Sequence, residues 1–344
     1  MRPTVLVTGG AGYVGSHACK ALAMAGYEPV VYDNLSIGNC WAVRWGPLER
    51  GDVLDGARLN EVIRRYSPVA AMHFAALSIV GESVQEPEIY WRTNVGGLLC
   101  LLDACRNHNV RDLVFSSTAA VYGTPEHLPI AEDAVKAPVN QYGASKLEAE
   151  RALDDYTAKH GLRTAALRYF NAAGADPAGE IGEHRDRETH LIPLVLDAVL
   201  GTHPPVKVMG TNYPTADGTA VRDYIHVMDL ADSHVRALET LRDGATSLRL
   251  NLGTGRGYSV REVVETAATV TGREVPHALG PRRVGDPAQL VADPAQARKI
   301  LGDDLTQRSS LVTIVEDAWA WHSEHRRHIT GLTSERRDNH ACDV

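Results

Sequence analysis

The feature that most constrains this fold is an apolar run that ends in closely spaced glycines, between Thr4 and Gly15. The run Thr4 to Val7 is typical of a buried strand, and helix-forming residues follow from His17 to Ala25. A tight glycine turn must therefore join a strand to a helix. This order of elements predicts the first unit of an α/β fold.

The glycines also predict what the turn binds. Gly9 allows the sharp turn, Gly12 lets the backbone approach a pyrophosphate, and Gly15 lets helix and strand pack closely. Phosphates would then face the positive N-terminus of the helix. A glycine-rich turn alone is weak evidence, because any sharp turn after a strand can be rich in glycine. With the residues that follow, it predicts a dinucleotide site.

A second apolar run, Pro29 to Tyr32, ends in Asp33. An acid about 20 residues beyond the glycines can accept both ribose hydroxyls, and its charge would repel a 2′-phosphate. This favours NAD over NADP. Asp52, which follows Gly51, could likewise meet the adenine amino group. In the alternative interpretation, Asp33 with Asn34, and Gly51 with Asp52, only turn the chain.

Strand-like and helical stretches then alternate as far as Phe170, which predicts a Rossmann-type, doubly wound parallel sheet with a smaller, discontinuous C-terminal substrate-binding domain. Carboxyl ends of parallel strands meet at one edge, where ligands bind. The predicted stretches are Val69 to Phe74, Ile89 to Arg106, Asp112 to Ser116, Tyr142 to His160 and Thr164 to Tyr169. The strand ends carry Phe74, Ala75, Ala76, Ser116, Ser117, Thr118, Tyr169, Phe170 and Asn171.

Composition shifts to Gly, Pro, Asp and His after Asn171, which marks a second domain. We predict a nucleotide-binding domain over 1–171, with 222–252 returning to it, and a substrate domain over 172–221 and 253–330. An amphipathic helix is expected from Leu311 to His322, ahead of a polar tail from about Arg326 to Val344. This tail is expected to be disordered, and residues 331–344 lie outside both predicted domains.

Bulk properties exclude several classes. The 344 residues carry a formal net charge of −8 without a basic stripe, so nucleic acid is not an expected partner. No apolar run approaches the roughly 20 residues that cross a bilayer, and the early first strand leaves no room for a signal peptide. Five scattered cysteines predict reduced thiols rather than disulfides or zinc. We expect a cytoplasmic protein.

Catalytic chemistry is indicated by Tyr142 and Lys146, which are four residues apart on a predicted helix. A nearby ammonium and a positive nicotinamide ring favour the phenolate, so Tyr142 becomes a general base. Thr118 can hydrogen-bond a substrate hydroxyl. Chance surface pairing explains many Tyr/Lys spacings, but here the pair accompanies a glycine turn and a Ser/Thr cluster.

Several motifs resemble the extended short-chain dehydrogenase/reductases, and among them the enzymes that epimerise UDP-sugars at C4. The resemblance extends from about Thr4 to His322. It is carried by Thr8 to His17, Tyr142 to Lys146, Arg168 to Asn171, Val221 to Val227 and Pro281 to Asp286.

This resemblance implies NAD as cofactor, a UDP-sugar as substrate and a homodimer. The implied catalytic set is Tyr142, Lys146 and Thr118. The implied cofactor residues are Gly9, Gly12, Tyr13, Val14, Gly15, Asp33, Asn34, Asp52, Val53, Phe74, Ala75, Ala76, Asn94, Ser116, Tyr142, Lys146 and Tyr169. The implied substrate residues are Thr118, Tyr142, Asn171, His190, Leu191, Arg222, Arg283 and Asp286, with the arginines on the pyrophosphate.

The implied reaction takes a proton from the sugar 4-hydroxyl to Tyr142 and a hydride from C4 to NAD, leaving a 4-keto sugar and NADH. The keto sugar turns about its pyrophosphate and takes the hydride back on its other face. Dehydratases and decarboxylases of this fold need an acid beside Thr118, where Ala119 and Ala120 stand. Epimerases of UDP-pentoses or UDP-uronic acids stay open, and a non-catalytic NAD sensor would not need the catalytic set.

Four positions depart from the family pattern. Ser78 stands where a lysine near the cofactor is often found, Thr118 replaces a serine, and His190 replaces an asparagine. Leu290 occupies a position whose size gates a 2-acetamido group, which leaves N-acetylated sugars undecided. Arg222–Asp223 and Arg283–Asp286 could also be structural ion pairs. His322, His325 and His328 lie near a helix end, but we predict no metal.

Overall fold

The computed structural model of the chain describes residues 2–283 and 286–332, with side-chain surroundings as far as His325. Its strands are β1 (Thr4–Thr8), β2 (Glu28–Asp33), β3 (Leu48–Arg50), β4 (Ala70–His73), β5 (Asp112–Thr118), β6 (Arg163–Tyr169), β7 (Asn171–Ala173), β8 (Val206–Met209), β9 (Val221–His226), β10 (Ser247–Leu252), β11 (Gly257–Ser259), β12 (His277–Gly280) and β13 (Gln289–Leu290). Its helices are α1 (Tyr13–Met24), α2 (Gly56–Tyr66), α3 (Val80–Gln85), α4 (Pro87–Tyr90), α5 (Gly97–Asn107), α6 (Gln141–His160), α7 (Leu191–Leu200), α8 (Val227–Arg242), α9 (Val260–Thr271), α10 (Ala295–Leu301) and α11 (Leu311–Leu332).

Seven parallel strands form the main sheet in the order β10-β6-β5-β4-β1-β2-β3. The order reverses between β1 and β4, and such a switch point opens a crevice at the strand carboxyl ends. The side chains of successive β1 residues point to opposite faces of the main sheet. Val5 and Val7 join the core under α1 and α8, whereas Leu6 joins the core under α2, α5 and α6. The predicted doubly wound parallel sheet is confirmed.

A smaller sheet contains β11, β9 and β13 in that order, with β7 paired to β9. Its neighbouring helices α7, α9 and α11 share a separate core that includes Val195, Val263 and Ile314. A two-stranded parallel sheet, β8 and β12, adjoins α7. Apart from β9 and the first residue of β7, these elements come from the segments predicted to bind substrate.

Several predicted boundaries need correction. Within the predicted 222–252 return to the first domain, β9 pairs with the small sheet, and within 253–330, α10 packs against α8 and β10. Both errors arise because sheet membership depends on long-range pairing, which an apolar run does not reveal. The short β3 was missed because it holds charged Glu49, a buried carboxylate bound by Arg58 and Arg65.

Two helices also differ from prediction. Helix α1 begins at Tyr13 rather than His17, so the glycine turn runs directly into it. Helix α11 continues past His322 to Leu332, through residues 326–332 that were assigned to the polar tail. The predicted disorder concerns residues that, beyond 332, lie outside the described ranges.

The state of one cysteine differs from the prediction that all five are reduced thiols. Cys19, Cys100 and Cys105 are free thiols, as predicted, whereas Cys40 is disulfide-bonded. In the described ranges, no helix combines the length and apolar character needed to span a membrane.

Candidate active site

The glycine turn between β1 and α1 leaves little room for side chains. Gly9 has a φ of +76°, and a Cβ there would lie 2.4 Å from the Ala75 nitrogen. A Cβ on Gly15 would lie 2.2 Å from the Gly9 oxygen. On Gly12, which caps α1, a Cβ would meet the Gly9 oxygen at 3.3 Å. The first turn of α1 is thereby open to an anion.

Asp33 ends β2 at the rim of the same cleft. Its Oδ2 accepts a hydrogen bond from the Ala11 nitrogen at 3.0 Å, and its Oδ1 accepts one from the Leu35 nitrogen at 2.9 Å. Burial raises the pKa of Asp33, and these two N–H groups oppose that rise. The carboxylate is therefore bound to the glycine turn and also lines the cleft. Asn34 forms the turn of the alternative interpretation, with its Oδ1 accepting from the Ser36 nitrogen at 2.9 Å.

Asp52 and Val53, which are predicted to hold the adenosine half of NAD, line the same cleft. The Asn34 amide donates to Asp52 Oδ2 at 2.9 Å, and the Tyr32 hydroxyl donates to the Asp52 carbonyl at 2.8 Å. The loop after β3 is thereby fastened to the end of β2.

Asn94 lies beneath the cleft rather than on its wall. Its amide donates to the Leu77 carbonyl at 3.0 Å and to Ser145 Oγ at 3.1 Å, and its Oδ1 accepts from the Leu77 nitrogen at 2.9 Å. It occupies a π-helical segment, Trp91–Gly96, inside the helix predicted over 89–106. Such segments often mark functional sites. Asn94 therefore positions the Phe74–Ser78 loop, and direct contact with a cofactor remains a prediction.

Lys146 lies on the first turns of α6 and is 2% exposed. Its ammonium donates to the Ser116 carbonyl at 2.9 Å and lies 4.6 Å from the Phe115 ring centroid. Burial lowers the pKa of Lys146 to about 7, and the Glu150 carboxylate acts in the opposite direction. The ammonium is thus held at the end of β5, beside the cleft.

Tyr142 lines the same end of the cleft. Burial raises the pKa of its phenol, Tyr169 adds to the rise, and a hydrogen bond with Thr118 opposes it. The expected lowering of this pKa does not come from the protein alone, because burial has the larger effect. Thr118 also accepts from the Ala120 nitrogen at 3.1 Å, and Ser116 and Tyr169 share a hydrogen bond of 2.8 Å.

The predicted substrate residues gather around the small sheet. Asn171 pairs with Tyr224 across β7 and β9, and Arg222 pairs in register with Leu290 of β13. Arg222 forms an ion pair with Asp286 and donates to the Pro287 carbonyl at 2.9 Å. The ion pair thus joins two predicted substrate residues.

Neither structural ion pair proposed as an alternative occurs in the described residues. The Asp223 carboxylate instead accepts from the Thr254 nitrogen at 2.9 Å and from the Gly255 nitrogen at 3.0 Å. Arg283 is exposed, and its carbonyl accepts from the Asp286 nitrogen at 3.3 Å. Of the two predicted pyrophosphate arginines, Arg222 therefore has its guanidinium held by described side-chain contacts, and Arg283 does not.

His190 precedes α7, which begins at Leu191, and its Nδ1 lies 2.6 Å from Glu183 Oε1. The Glu183 carboxylate raises the pKa of His190, and burial opposes that effect. Glu183, Glu188 and His190 bring potential metal ligands within 4.8 Å of one another. Because Glu183 already pairs with Arg185 and His190, we do not assign a metal to this cluster. Of the three histidines predicted near the end of the last helix, His322 lies with its Nδ1 3.7 Å from Asp197 Oδ1.

All predicted cofactor residues except Asn94 line one cleft, which extends from Asp52 to Tyr142. Sequence reasoning missed several lining residues, and the most notable are His184 and Arg185. They lie in the irregular segment between β7 and α7. The unusual density of charged residues around Glu183 was the available signal. Leu290 packs against the small cluster of Tyr122, Ile130 and Leu147, next to the catalytic set.

A parallel-sheet crevice with a glycine turn, an acid after β2 and a Tyr/Lys pair defines a class of nucleotide-dependent enzymes. The chain belongs to the NAD dependent epimerase/dehydratase family, which matches residues 5–253. It is 50% identical over 323 residues to the UDP-glucose 4-epimerase of Rhizobium meliloti strain 1021, covering 94% of this chain and 98% of that protein.

Solved structures agree. The UDP-glucose 4-epimerase from Brucella ovis in complex with NAD has a TM-score of 0.90 and 53% identity, covering 92% of this chain and 97% of that one. The UDP-glucose 4-epimerase from Bifidobacterium longum in complex with NAD+ and UDP has a TM-score of 0.89 and 37% identity, covering 94% and 99%. The predicted family and fold are confirmed.

Proposed function

We propose that this chain is an NAD-dependent isomerase that interconverts UDP-galactose and UDP-glucose through a 4-keto intermediate. The observation that carries the proposal is the position of Tyr142 and Lys146 at one end of the dinucleotide cleft. Similarity to UDP-glucose 4-epimerases over more than nine-tenths of the chain, at 50% and 53% identity, supports the substrate class.

The cleft fits NAD. Gly12 offers a backbone that phosphates can approach, and the buried Asp33 carboxylate suits ribose hydroxyls and opposes a 2′-phosphate. Ser116, Tyr142, Lys146 and Tyr169 surround the other end. When bound, NAD would accept a hydride from the sugar C4 and return it.

Proton transfer is the role of Tyr142. Its phenol would take the proton from the 4-hydroxyl and return it after the sugar has turned, and Thr118 would link phenol and hydroxyl. Because burial raises the pKa of this phenol, its ionisation depends on positive charge nearby. The Lys146 ammonium and the nicotinamide ring of the bound cofactor would supply that charge.

Rotation of the keto sugar needs a firm hold on the nucleotide and a loose hold on the hexose. Arg222 and Arg283 would bind the UDP pyrophosphate, since a guanidinium fork matches phosphate oxygens. Arg222 already rests on Asp286 and the Pro287 carbonyl, and it would exchange part of these contacts for phosphate. Asn171, His190 and Leu191 would contact the remainder of the substrate.

A second candidate is 4-epimerisation of another UDP-sugar, namely a UDP-N-acetylhexosamine, UDP-pentose or UDP-uronic acid. Leu290 supports this second candidate, because its side chain is of intermediate size and packs against the cluster that contains Leu147, the residue after Lys146. Elimination chemistry is disfavoured, since Thr118 is followed by Ala119 and Ala120 in a 3₁₀ turn without a carboxylate.

We further propose that the enzyme acts as a homodimer in the cytoplasm and serves galactose metabolism. Exposed Val84, Ile89, Trp91 and Leu99 lie on or between α3 and α5 and support a helical dimer contact. Free Cys19, Cys100 and Cys105 fit a reducing compartment, whereas the Cys40 disulfide does not. Light scattering and cell fractionation test the two assignments.

Proton NMR of UDP-galactose incubated with purified protein, without added nucleotide, tests the function. We expect the anomeric signal of UDP-glucose to appear, because NAD should remain bound through purification. Absence of this signal even with added NAD would rule out hexose epimerisation. UDP-pentoses and UDP-uronic acids would then be assayed in the same way.

A further inference from the structure

Arg185 has no role in the mechanism above, although its side chain lines the dinucleotide cleft. It lies in the segment between β7 and α7, far from the glycine turn in sequence, and only 16% of the side chain is exposed. An arginine that is largely removed from water beside a ligand cleft needs an anionic partner. Glu183 is one such partner, and the position of Arg185 on the cleft wall raises the question of which ligand anion it also meets.

Its neighbours locate it along the cleft. Tyr13 marks the first turn of α1, where phosphates bind, and Tyr142 marks the catalytic end. Burial raises the pKa of the phenols of Tyr13, Tyr142 and Tyr169, and the charge of Arg185 acts against that rise at each of them. The Arg185 guanidinium therefore lies near the first turn of α1 and near the catalytic tyrosines, on the wall of the cleft that they share. The pyrophosphate of a bound dinucleotide would lie between these two places.

Glu183 binds one nitrogen atom of the Arg185 guanidinium group. Arg185 Nε donates to Glu183 Oε1 at 3.2 Å, and no other hydrogen bond to Arg185 occurs within the described residues. The same oxygen lies 2.6 Å from His190 Nδ1. Burial would raise the pKa of Glu183, but His190 and Arg185 outweigh it and lower that pKa. The carboxylate thus stays charged and fixes Nε, while the two Nη groups remain available for an acceptor.

The cleft has few positively charged side chains that could balance the charge of a bound pyrophosphate. Asp33 and Asp52 are acidic, and among the described lining residues Lys146 and Arg185 are the lysine and arginine. Lys146 is committed to the Ser116 carbonyl. Ser78, also on the wall, carries no charge. Arg185 is therefore the side chain best placed to neutralise a pyrophosphate.

We propose that Arg185 binds the pyrophosphate of NAD from the side opposite the glycine turn and slows release of the cofactor. The inference rests on the proposed function in that the anion is the resident dinucleotide. Glu183 is then a positioning residue, which holds the cofactor-binding Arg185 and the predicted substrate residue His190 through one oxygen atom.

The test compares Arg185→Gln with Arg187→Gln, a matched control in the same segment. Arg187 is 84% exposed and lies 3.8 Å from Glu82, outside the cleft. Release of bound NAD is followed after dilution into excess unlabelled NAD, using protein loaded with radiolabelled NAD. We expect release to quicken roughly ten- to a hundredfold in Arg185→Gln and to be unchanged in Arg187→Gln. Arg185→Lys, which keeps the charge without the fork, should fall between them.

A second arm separates the two pyrophosphates that the cleft region receives. Binding of UDP to NAD-saturated protein is measured by calorimetry, and we expect Arg185→Gln to leave it within about twofold. Weaker UDP binding with unchanged NAD release would overturn the proposal in favour of the substrate pyrophosphate. Unchanged release and unchanged UDP binding would overturn it outright. Because neither readout needs turnover, a failure to epimerise UDP-galactose would affect the proposed function and leave this inference standing.

Discussion

The cofactor and substrate regions of this molecule are built by different means. Around the glycine turn, backbone contacts set the shape, and a single Cβ at Gly15 would lie 2.2 Å from another residue's oxygen. Around the small sheet, side-chain charges set it, through Arg222 with Asp286 and Glu183 with His190. A backbone cradle is ready before the ligand arrives, whereas an ion pair must exchange partners when phosphate binds.

This difference suits a tightly held cofactor and an exchanging substrate. Preformed backbone donors lose little conformational freedom on binding, which favours retention. Ion pairs at the substrate side replace one charged contact by another, so the net gain in binding free energy is smaller. Substitutions should therefore act on NAD retention in one region and on KM in the other.

Tyr142 lies where the regions meet and should have the largest effect. Tyr142→Phe removes the proton acceptor and preserves the ring, so we expect kcat to fall about 10²- to 10⁴-fold. NAD content should remain that of the unmodified protein, since the phenol is not a phosphate contact. Tyr66→Phe, a tyrosine on α2 away from the cleft, is the control. Substantial residual turnover would refute the assignment of Tyr142 as base.

Gly15→Ala tests the backbone-built region. The added Cβ would force α1 away from the turn, and overpacking of this kind costs about 1–3 kcal/mol. We expect lower stability in urea and partial loss of NAD, measured by absorbance of the denatured supernatant. Gly56→Ala, at the start of α2, is a matched control because nothing lies within 4 Å of its Cβ position. Equal behaviour of the two variants would contradict a rigid cradle.

The two regions also differ in what their sequences reveal. The glycine turn and the Tyr142–Lys146 spacing are local patterns whose geometry follows from one strand or one helix, and the residues that they select line one cleft. Pairing of β9 with β7, and the arrival of Arg185 at the cleft, depend on residues distant in sequence. No local pattern encodes such contacts, so resemblance alone supplied the substrate residues. Arg185 was missed because it lies in a segment without periodicity.

Arg222→Lys tests the charge-built region. Lysine keeps the charge but lacks the fork that fits both phosphate oxygens and the Asp286 carboxylate. We expect KM for UDP-galactose to rise about tenfold with little change in NAD content. Arg261→Lys, on the exposed face of α9, should leave KM unchanged. If NAD were lost together with substrate affinity, the regions would be coupled rather than separate.

The smallest expected effect is the pH dependence of the Glu183–His190 pair. Since the folded-state pKa of His190 is raised, its contribution to stability is fully present below the unfolded value near 6.5 and is lost as pH rises through the folded value. The ring is 45% exposed, so solvent screening should limit this contribution to below about 1 kcal/mol. Urea unfolding between pH 5 and 9 should therefore show that His190→Gln destabilises the protein at pH 5.5 and has little effect at pH 9. His127→Gln, at an exposed loop position, should show no such trend. A destabilisation by His190→Gln that is equal at both pH values would mean that packing, and not charge, holds this side of the substrate region.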